Sequence, residues 1–312
     1  MKLPRSVKLY DLSYDKNIPI AELEKQLQAK SWEPCPKHAI QSLGWISPYP
    51  EQNASFLAHC NQWISFLLCI EKKVLPQTVV KQYTQTEIEN LEKSSALPLS
   101  KKDRSTVQEE IRYKLLSQAF TIKTYHPVII DLKRELLLIP PLSEQKQQLL
   151  SQLFLEIPWI KKISPITVNM DISLTMRQWL LEKNLPQQLS LSKSCAIQNI
   201  HNQQGKITFF QEDLSAQSLL KDNLKDKEVR SLELESDQGI RFTLDADFKV
   251  SKIQMLEPLL ESIKEINTPC LASQIDANIL IWSAAIMNVL TSLIASLGGK
   301  QETKDQEKVY AQ

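Results

Sequence analysis

The stretch "VRSLELESDQGIRFTLDADFKVSKIQML", residues 229–256, decides the class of the fold. It contains three strand-like runs separated by short polar segments. The segment around Asp245 and Asp247 reads as a polar turn, because Asp is a common turn residue. Two further strand-like runs, "CAIQNI" and "KITFF", precede it. Because short turns join antiparallel strands, this half of the chain predicts an antiparallel sheet, with "SAQSLLKDNLKDK" as a helix inside it.

Helices and strands also mix in the first half of the chain. "VKLYDLS" predicts a strand, "IAELEKQLQAK" an amphipathic helix, and "ISFLLCIEKKVLP" a long buried strand that ends at Pro76. Residues 76–122 are then helical, with Ser100 and Asp103 placed to cap a second helix. We therefore predict an α+β protein with mixed antiparallel sheets and a protruding helical hairpin.

The length and composition allow two folded parts. The chain has 312 residues, of which 42% are hydrophobic. We predict an N-terminal half over residues 1–165, which contains the hairpin, and a C-terminal half over residues 166–312, which ends in an apolar helix. The uncharged run at 279–297 approaches membrane length, but Ser, Asn and Thr interrupt it. A buried helix is therefore favoured over a membrane anchor.

Several enzyme classes lack their motifs in this sequence. Only five glycines occur, and none are spaced as in a phosphate-binding loop or a dinucleotide fingerprint. G-x-S-x-G and H-E-x-x-H are also missing. The five cysteines are widely spaced and no signal-peptide pattern opens the chain, so we expect a reduced, cytoplasmic protein.

Two constellations could suggest a metal. Cys35 and His38 have C-x-x-H spacing, and His59 with Cys60 would complete four ligands. Neighbouring residues on a strand or helix point apart, so a zinc site is disfavoured. Asp245 and Asp247 leave a metal-dependent nuclease as a distant alternative to the polar turn. We expect no metal, no cofactor and no enzymatic activity.

The charge is balanced overall but not locally. Lys and Arg number 37 against 36 Asp and Glu, whereas residues 71–134 contain twelve Lys or Arg and eight Asp or Glu. Within this region, the segment "LPLSKKDRSTVQEEIRYKLLSQAF", residues 97–120, concentrates cations on one helix face. From the residues alone, this face is either a solvated helix surface or a contact for a polyanion.

Six stretches in chain order carry a family resemblance: "AELEKQL", "WEPCPKHAIQSLGWISP", "KVLPQTVVKQ", "LLSQAFT", "ISLTMRQWL" and "LIASLGGK". They resemble the bacterial RdgC family of recombination-associated proteins. The resemblance implies a ring-shaped homodimer whose central hole, lined by basic groups, is wide enough for duplex DNA. It also implies DNA binding with little sequence preference, association with the nucleoid, and limited access of RecA to DNA.

The resemblance turns the charge cluster into a predicted site. The expected DNA contacts are Lys101, Lys102, Arg104, Arg112, Lys114 and Lys123. The expected dimer contacts are Phe120, Trp282, Ile286 and Leu290. For Phe120, a core position and a ring-closing contact are both open. The expected partners are double-stranded DNA, a second copy of the chain and, indirectly through DNA, RecA filaments, with no membrane.

The sequence departs from the family pattern at three places. The family usually has a basic residue where this chain has Gln118, and a basic pair where it has Gln211 and Glu212. The T-G-E-L of the family reads "WSAA" here, residues 282–285. These departures support an alternative, a dimeric interaction or scaffold protein with the same fold and weakened DNA binding.

Overall fold

The computed structural model describes residues 3–51, 54–95, 97–199, 205–212, 214, 224, 227–264 and 270–301. The chain forms two compact units. The larger comprises Met1–Leu27, Ser47–Leu67 and Pro127–Gln312, and the smaller comprises Gln28–Ile46 and Leu68–His126. This division differs from the predicted boundary between residues 165 and 166, because both sides of that boundary belong to the larger unit. The helix predicted from "SAQSLLKDNLKDK" lies almost wholly outside the described residues.

The described residues contain twelve strands and seven helices. The strands are β1 (Val7–Tyr14), β2 (Gln41–Ile46), β3 (Leu57–Cys60), β4 (Trp63–Lys73), β5 (Thr121–Asp131), β6 (Leu136–Ile139), β7 (Ile160–Pro165), β8 (Leu189–Asn199), β9 (Ile207–Phe210), β10 (Lys227–Ser236), β11 (Ile240–Asp245) and β12 (Lys249–Met255). The helices are α1 (Ile20–Ala29), α2 (Gln77–Ser95), α3 (Lys101–Gln118), α4 (Glu144–Leu155), α5 (Ile172–Glu182), α6 (Glu257–Lys264) and α7 (Leu271–Ser296). The α+β class with a large antiparallel sheet is therefore confirmed.

Strand β1 organises the sheet of the larger unit. It pairs antiparallel with β6, β7 and β12. From β12 the sheet continues through β11, β10 and β8 to β9, each pair antiparallel. The turn predicted around Asp245 is confirmed: the backbone N–H of Phe248 donates to the Asp245 carbonyl at 3.0 Å.

Helices α5 and α7 pack into one apolar cluster of the larger unit. Met176 and Trp179 of α5 are buried in one apolar cluster with Trp282, Ile286 and Leu290 of α7 and with inward side chains of β10 and β11. This corrects one prediction. Trp282, Ile286 and Leu290 are covered by residues of their own unit, so their side chains are not available as a dimer contact.

Helix α7 is also long and apolar enough to cross a membrane, the one helix of this kind among the described residues. Half of its most apolar window is buried inside the protein. Core helices of soluble proteins pass the same test of length and composition, so this is weak support for a membrane span. The burial of α7 agrees with the preferred prediction of a packed helix.

The smaller unit contains β2, the end of β4, the start of β5, and helices α2 and α3. At its base, Trp32 donates its backbone N–H to the Trp45 carbonyl at 2.8 Å. Trp45 lies in β2 and is fully buried, so its indole ring belongs to the core. The two segments approach closely because Gly44 has no side chain: a Cβ there would lie 2.5 Å from the Trp32 Cα.

Helices α2 and α3 contact each other. The buried positions are few: Val80, Thr84 and Ile88 on α2, and Val107 and Leu116 on α3. The predicted cap of α3 is confirmed, since the Ser100 hydroxyl accepts the backbone N–H of Asp103 at 3.2 Å. Most of α3 therefore faces solvent.

Gly44→Ala tests the close approach in the smaller unit. The added methyl group meets backbone atoms, which cannot rotate away, so we expect a loss of about 1–3 kcal/mol in the free energy of unfolding. Gly205→Ala is the control, because its Cβ would meet nothing within 4 Å and only its positive φ of 79° is strained. That variant should lose about 1 kcal/mol. Denaturant unfolding measures both, and equal losses would contradict the steric explanation.

A candidate nucleic-acid interface

Helix α3 concentrates the positive charge of the helix pair. It carries five Lys or Arg and three Asp or Glu, whereas α2 carries two Lys and three Glu. All six predicted DNA contacts belong to the smaller unit and all are exposed. They are Lys101, Lys102, Arg104, Arg112, Lys114 and Lys123. The smaller unit thus brings the predicted cations together on and just after one helix.

The cations differ in whether a carboxylate already neutralises them. Arg104 pairs with Glu92 of α2 at 2.8 Å and donates its Nε–H to the Leu99 carbonyl at 3.2 Å. The other four cations of α3 form no ion pair with any described residue. They are Lys101, Lys102, Arg112 and Lys114. Arg104 therefore helps to hold the two helices together, while the other four remain open to an external anion.

Lys123 lies on β5 over an aromatic ring. Its Nζ is 4.0 Å from the centroid of Trp32, within the range of a cation–π contact. The contact positions the ammonium group without neutralising its charge. The cationic surface thus extends from α3 onto the first residues of β5.

A second aromatic contact was not predicted. His38 stacks on Tyr113 of α3 with ring centroids 3.9 Å apart and planes within 3°. Both residues are exposed. The segment before β2, which also carries Lys37, therefore lies beside the cationic helix. The sequence shows that His38 and Tyr113 are both aromatic. It does not show that the segment before β2 packs beside α3, so the stacking could not be predicted.

A buried lysine fixes the end of α3. Lys73 at the end of β4 is buried, and its Nζ donates to the Leu116 carbonyl at 2.9 Å and to the Lys37 carbonyl. Leu116 lies in the last turn of α3, where carbonyl groups carry partial negative charge. Its carbonyl otherwise accepts only a long bond, from the backbone N–H of Ala119 at 3.4 Å, among the described residues. The ammonium group of Lys73 therefore caps α3 and ties the segment before β2 to it.

Glu71, on the same face of β4, is the buried counterpart of Lys73. A hydrogen bond from Thr121 and another from the backbone N–H of Cys35, at 2.9 Å, hold the pKa of the Glu71 carboxyl below its ordinary value. The positive charges of Lys123 and Lys73 also lower the pKa of Glu71. The carboxylate thus stays ionised and holds the segments on either side of the site.

Phe120 lies immediately beyond α3 and is 88% exposed, which excludes the core position that the sequence left open. Its backbone is nevertheless fixed, because its carbonyl accepts the N–H of Val74 at 2.8 Å. Val74, Ile40, Ile122 and Tyr125 are also exposed in the same unit. Phe120 is the most exposed of these side chains, so it is accessible to a partner that would cover it.

The remaining candidate residues are divided between the two units. Gln118 is exposed in the last turn of α3, and Gln211, with φ of 59°, follows β9 in the larger unit. Asp245 forms an ion pair with Lys249 at 2.8 Å. Over the described part of the chain, no group of three or more His, Cys, Asp or Glu could hold a metal ion.

Comparison with known proteins identifies the family. The family model described as "Putative exonuclease, RdgC" matches residues 4–300. The chain belongs to the RdgC family. The Recombination-associated protein RdgC of Yersinia enterocolitica is 25% identical over 298 residues, which cover 96% of this chain and 98% of that protein. The proteins of the same name from Yersinia pestis and Yersinia pseudotuberculosis share the same identity and coverage. The suspected family is thereby confirmed.

Lys73→Met tests the cap of α3. Methionine fills a similar volume but leaves the Leu116 and Lys37 carbonyls without their buried donor, so the free energy of unfolding should fall by about 1–3 kcal/mol. Lys72→Met is the matched control, since Lys72 is exposed on the opposite face of β4 and should change stability by less than about 0.5 kcal/mol. Chemical denaturation of the two variants measures this difference. If they are equally stable, Lys73 does not hold α3.

Proposed function

We propose that this RdgC-family protein binds duplex DNA without sequence preference, as a homodimer that encircles the DNA. In this proposal, it modulates RecA-dependent recombination and replication in the nucleoid by occupying DNA and is not an enzyme. The observation that carries the proposal is the exposed surface of α3, where Lys101, Lys102, Arg112 and Lys114 make no ion pair with described residues. Flexible unpaired cations suit contacts with phosphates, which carry no sequence information.

The name of the family model raises a nuclease as another activity. The residues that the sequence offered for it do not favour this chemistry. Asp245 forms an ion pair with Lys249 across the turn between β11 and β12. Among the described residues, no group of three or more His, Cys, Asp or Glu could hold a metal ion. DNA binding without cleavage is therefore the activity that we propose.

A dimeric scaffold with weakened DNA binding is the second candidate. The Arg104–Glu92 ion pair favours it, because it withdraws one cation from the surface. Gln118, Gln211 and Glu212 favour it too, since they stand where the family pattern is basic. Each lost phosphate contact reduces the slope of log K against log salt by about 0.9. A salt titration therefore separates the two candidates.

Replacing Lys101, Lys102, Arg104 and Arg112 together by Gln tests DNA binding. Affinity for all duplex sequences should fall about equally, and the slope of log K against log salt should flatten by about 0.9 for each true contact. Helix propensity barely changes between Lys or Arg and Gln. Because Arg104 also pairs with Glu92, thermal unfolding is measured alongside, and a variant that keeps Arg104 and replaces only the other three residues should lose nearly as much affinity. We expect Arg104 to contribute least, because Glu92 already neutralises it.

A charge-matched variant provides the control for that experiment. Lys133, Lys162, Lys206 and Lys264 are exposed residues of the larger unit, and replacing all four by Gln removes the same net charge. The slope should change less than in the α3 variant. Equal changes would show that net charge alone governs binding, and no change in the α3 variant would leave its cations as a solvated face.

Phe120→Ala tests encirclement. Because Phe120 is 88% exposed in the protomer, its removal should change the free energy of unfolding by no more than about 0.5 kcal/mol. If the ring closes through Phe120, dissociation from covalently closed circles should accelerate, while dissociation from linear DNA of equal length stays nearly unchanged. Equal off-rates from circles and linear DNA in the unmodified protein would exclude encirclement. A monomeric unmodified protein in sedimentation would exclude the ring as well.

A further inference from the structure

Strand β12 in the larger unit contains a bulge that places a lysine in an unusual conformation. Thr243 of β11 lies opposite Ser251, but Arg241 lies opposite Gln254, so β12 has one extra residue between these pairs. Lys252 lies in this interval and has φ of 52°, in the left-handed region that lysine rarely adopts. Such bulges redirect side chains and are frequent beside functional sites.

The bulge contacts a segment that carries a second cation, Arg5. The N–H of Ile253 donates to the carbonyl of Arg5 at 2.9 Å, which holds the segment before β1 against the bulge. Arg5 and Lys252 both line an open cleft of about 1000 Å³ in the larger unit. This volume is at the upper end of the range of small-molecule sites.

The lining of the cleft favours an anion. Arg5 and Lys252 are exposed, and neither forms an ion pair with a described residue. The described lining residues include no Asp or Glu, while Ser6 and Asn278 supply neutral hydrogen-bonding groups. Leu260 adds an apolar wall. Two unneutralised cations without a facing carboxylate attract negative charge and repel cations.

We propose that Arg5 and Lys252 bind a phosphate group, supplied either by a small organic phosphate or by a nucleic-acid backbone. The guanidinium of arginine matches two phosphate oxygens at once, and the lysine ammonium acts as a second, flexible point charge. The apolar wall suits the organic part attached to the phosphate. This site goes beyond the proposed DNA surface, because its residues belong to the larger unit and α3 belongs to the smaller.

Isothermal titration of the full-length protein with 5′-AMP and with inorganic phosphate tests the site. Arg5→Gln and Lys252→Asn should each weaken binding about tenfold, which is the loss expected for one charge-assisted hydrogen bond. Asn accepts positive φ more readily than Lys, so Lys252→Asn should be no less stable in thermal unfolding. Lys162→Gln, an exposed position of the larger unit outside the cleft, should bind like the unmodified protein.

A duplex-binding measurement on the same variants identifies the source of the phosphate. Weaker binding of 5′-AMP alone indicates a small organic phosphate, and weaker binding of the duplex alone indicates the nucleic-acid backbone. The α3 variant with four Gln residues should bind 5′-AMP normally even where it fails to bind DNA, so the two proposals fail separately. If Arg5→Gln and Lys252→Asn weaken neither ligand more than Lys162→Gln does, the cleft is not a phosphate site.

Discussion

The buried ammonium group of Lys73 is the constraint on which the candidate surface depends. It binds the last turn of α3 through Leu116 and the segment before β2 through Lys37. A buried charge without hydrogen-bonding partners costs several kcal/mol, so the two carbonyls must remain in place for the lysine to stay buried. The position of α3 is thus coupled to the end of β4, the longest buried strand leading into the smaller unit.

Helix α3 is fixed mainly at its ends. Ser100 and Arg104 hold its first turn, and Lys73 holds its last. Few of its residues are buried between these points, so the sides of the helix stay available for charged groups. For the proposed contact with DNA, an anchored helix with exposed cations is suitable, because the backbone position is set while each long side chain can adapt to a phosphate.

Much of the fold could be predicted because the relevant signals are local. The long apolar run of β4, the short turn at Asp245 and the cap at Ser100 each depend on neighbouring residues. The site was less predictable. An apolar run such as residues 279–297 of the chain has the same pattern whether it covers a core or a partner, so the pattern does not tell that Trp282 faces the core of its own unit. The exposure of Phe120 likewise depends on tertiary packing, which periodicity does not report.

The position of β1 in the sheet has a consequence for biosynthesis. β1 is made first, yet its partners β6, β7 and β12 follow only after the smaller unit has been synthesised. Helix α7, which completes the core, comes later still. The smaller unit can therefore fold on the ribosome while β1 still lacks its partners. An apolar strand with unpaired edges is a template for wrong pairing, so the nascent chain is most vulnerable to aggregation during this interval.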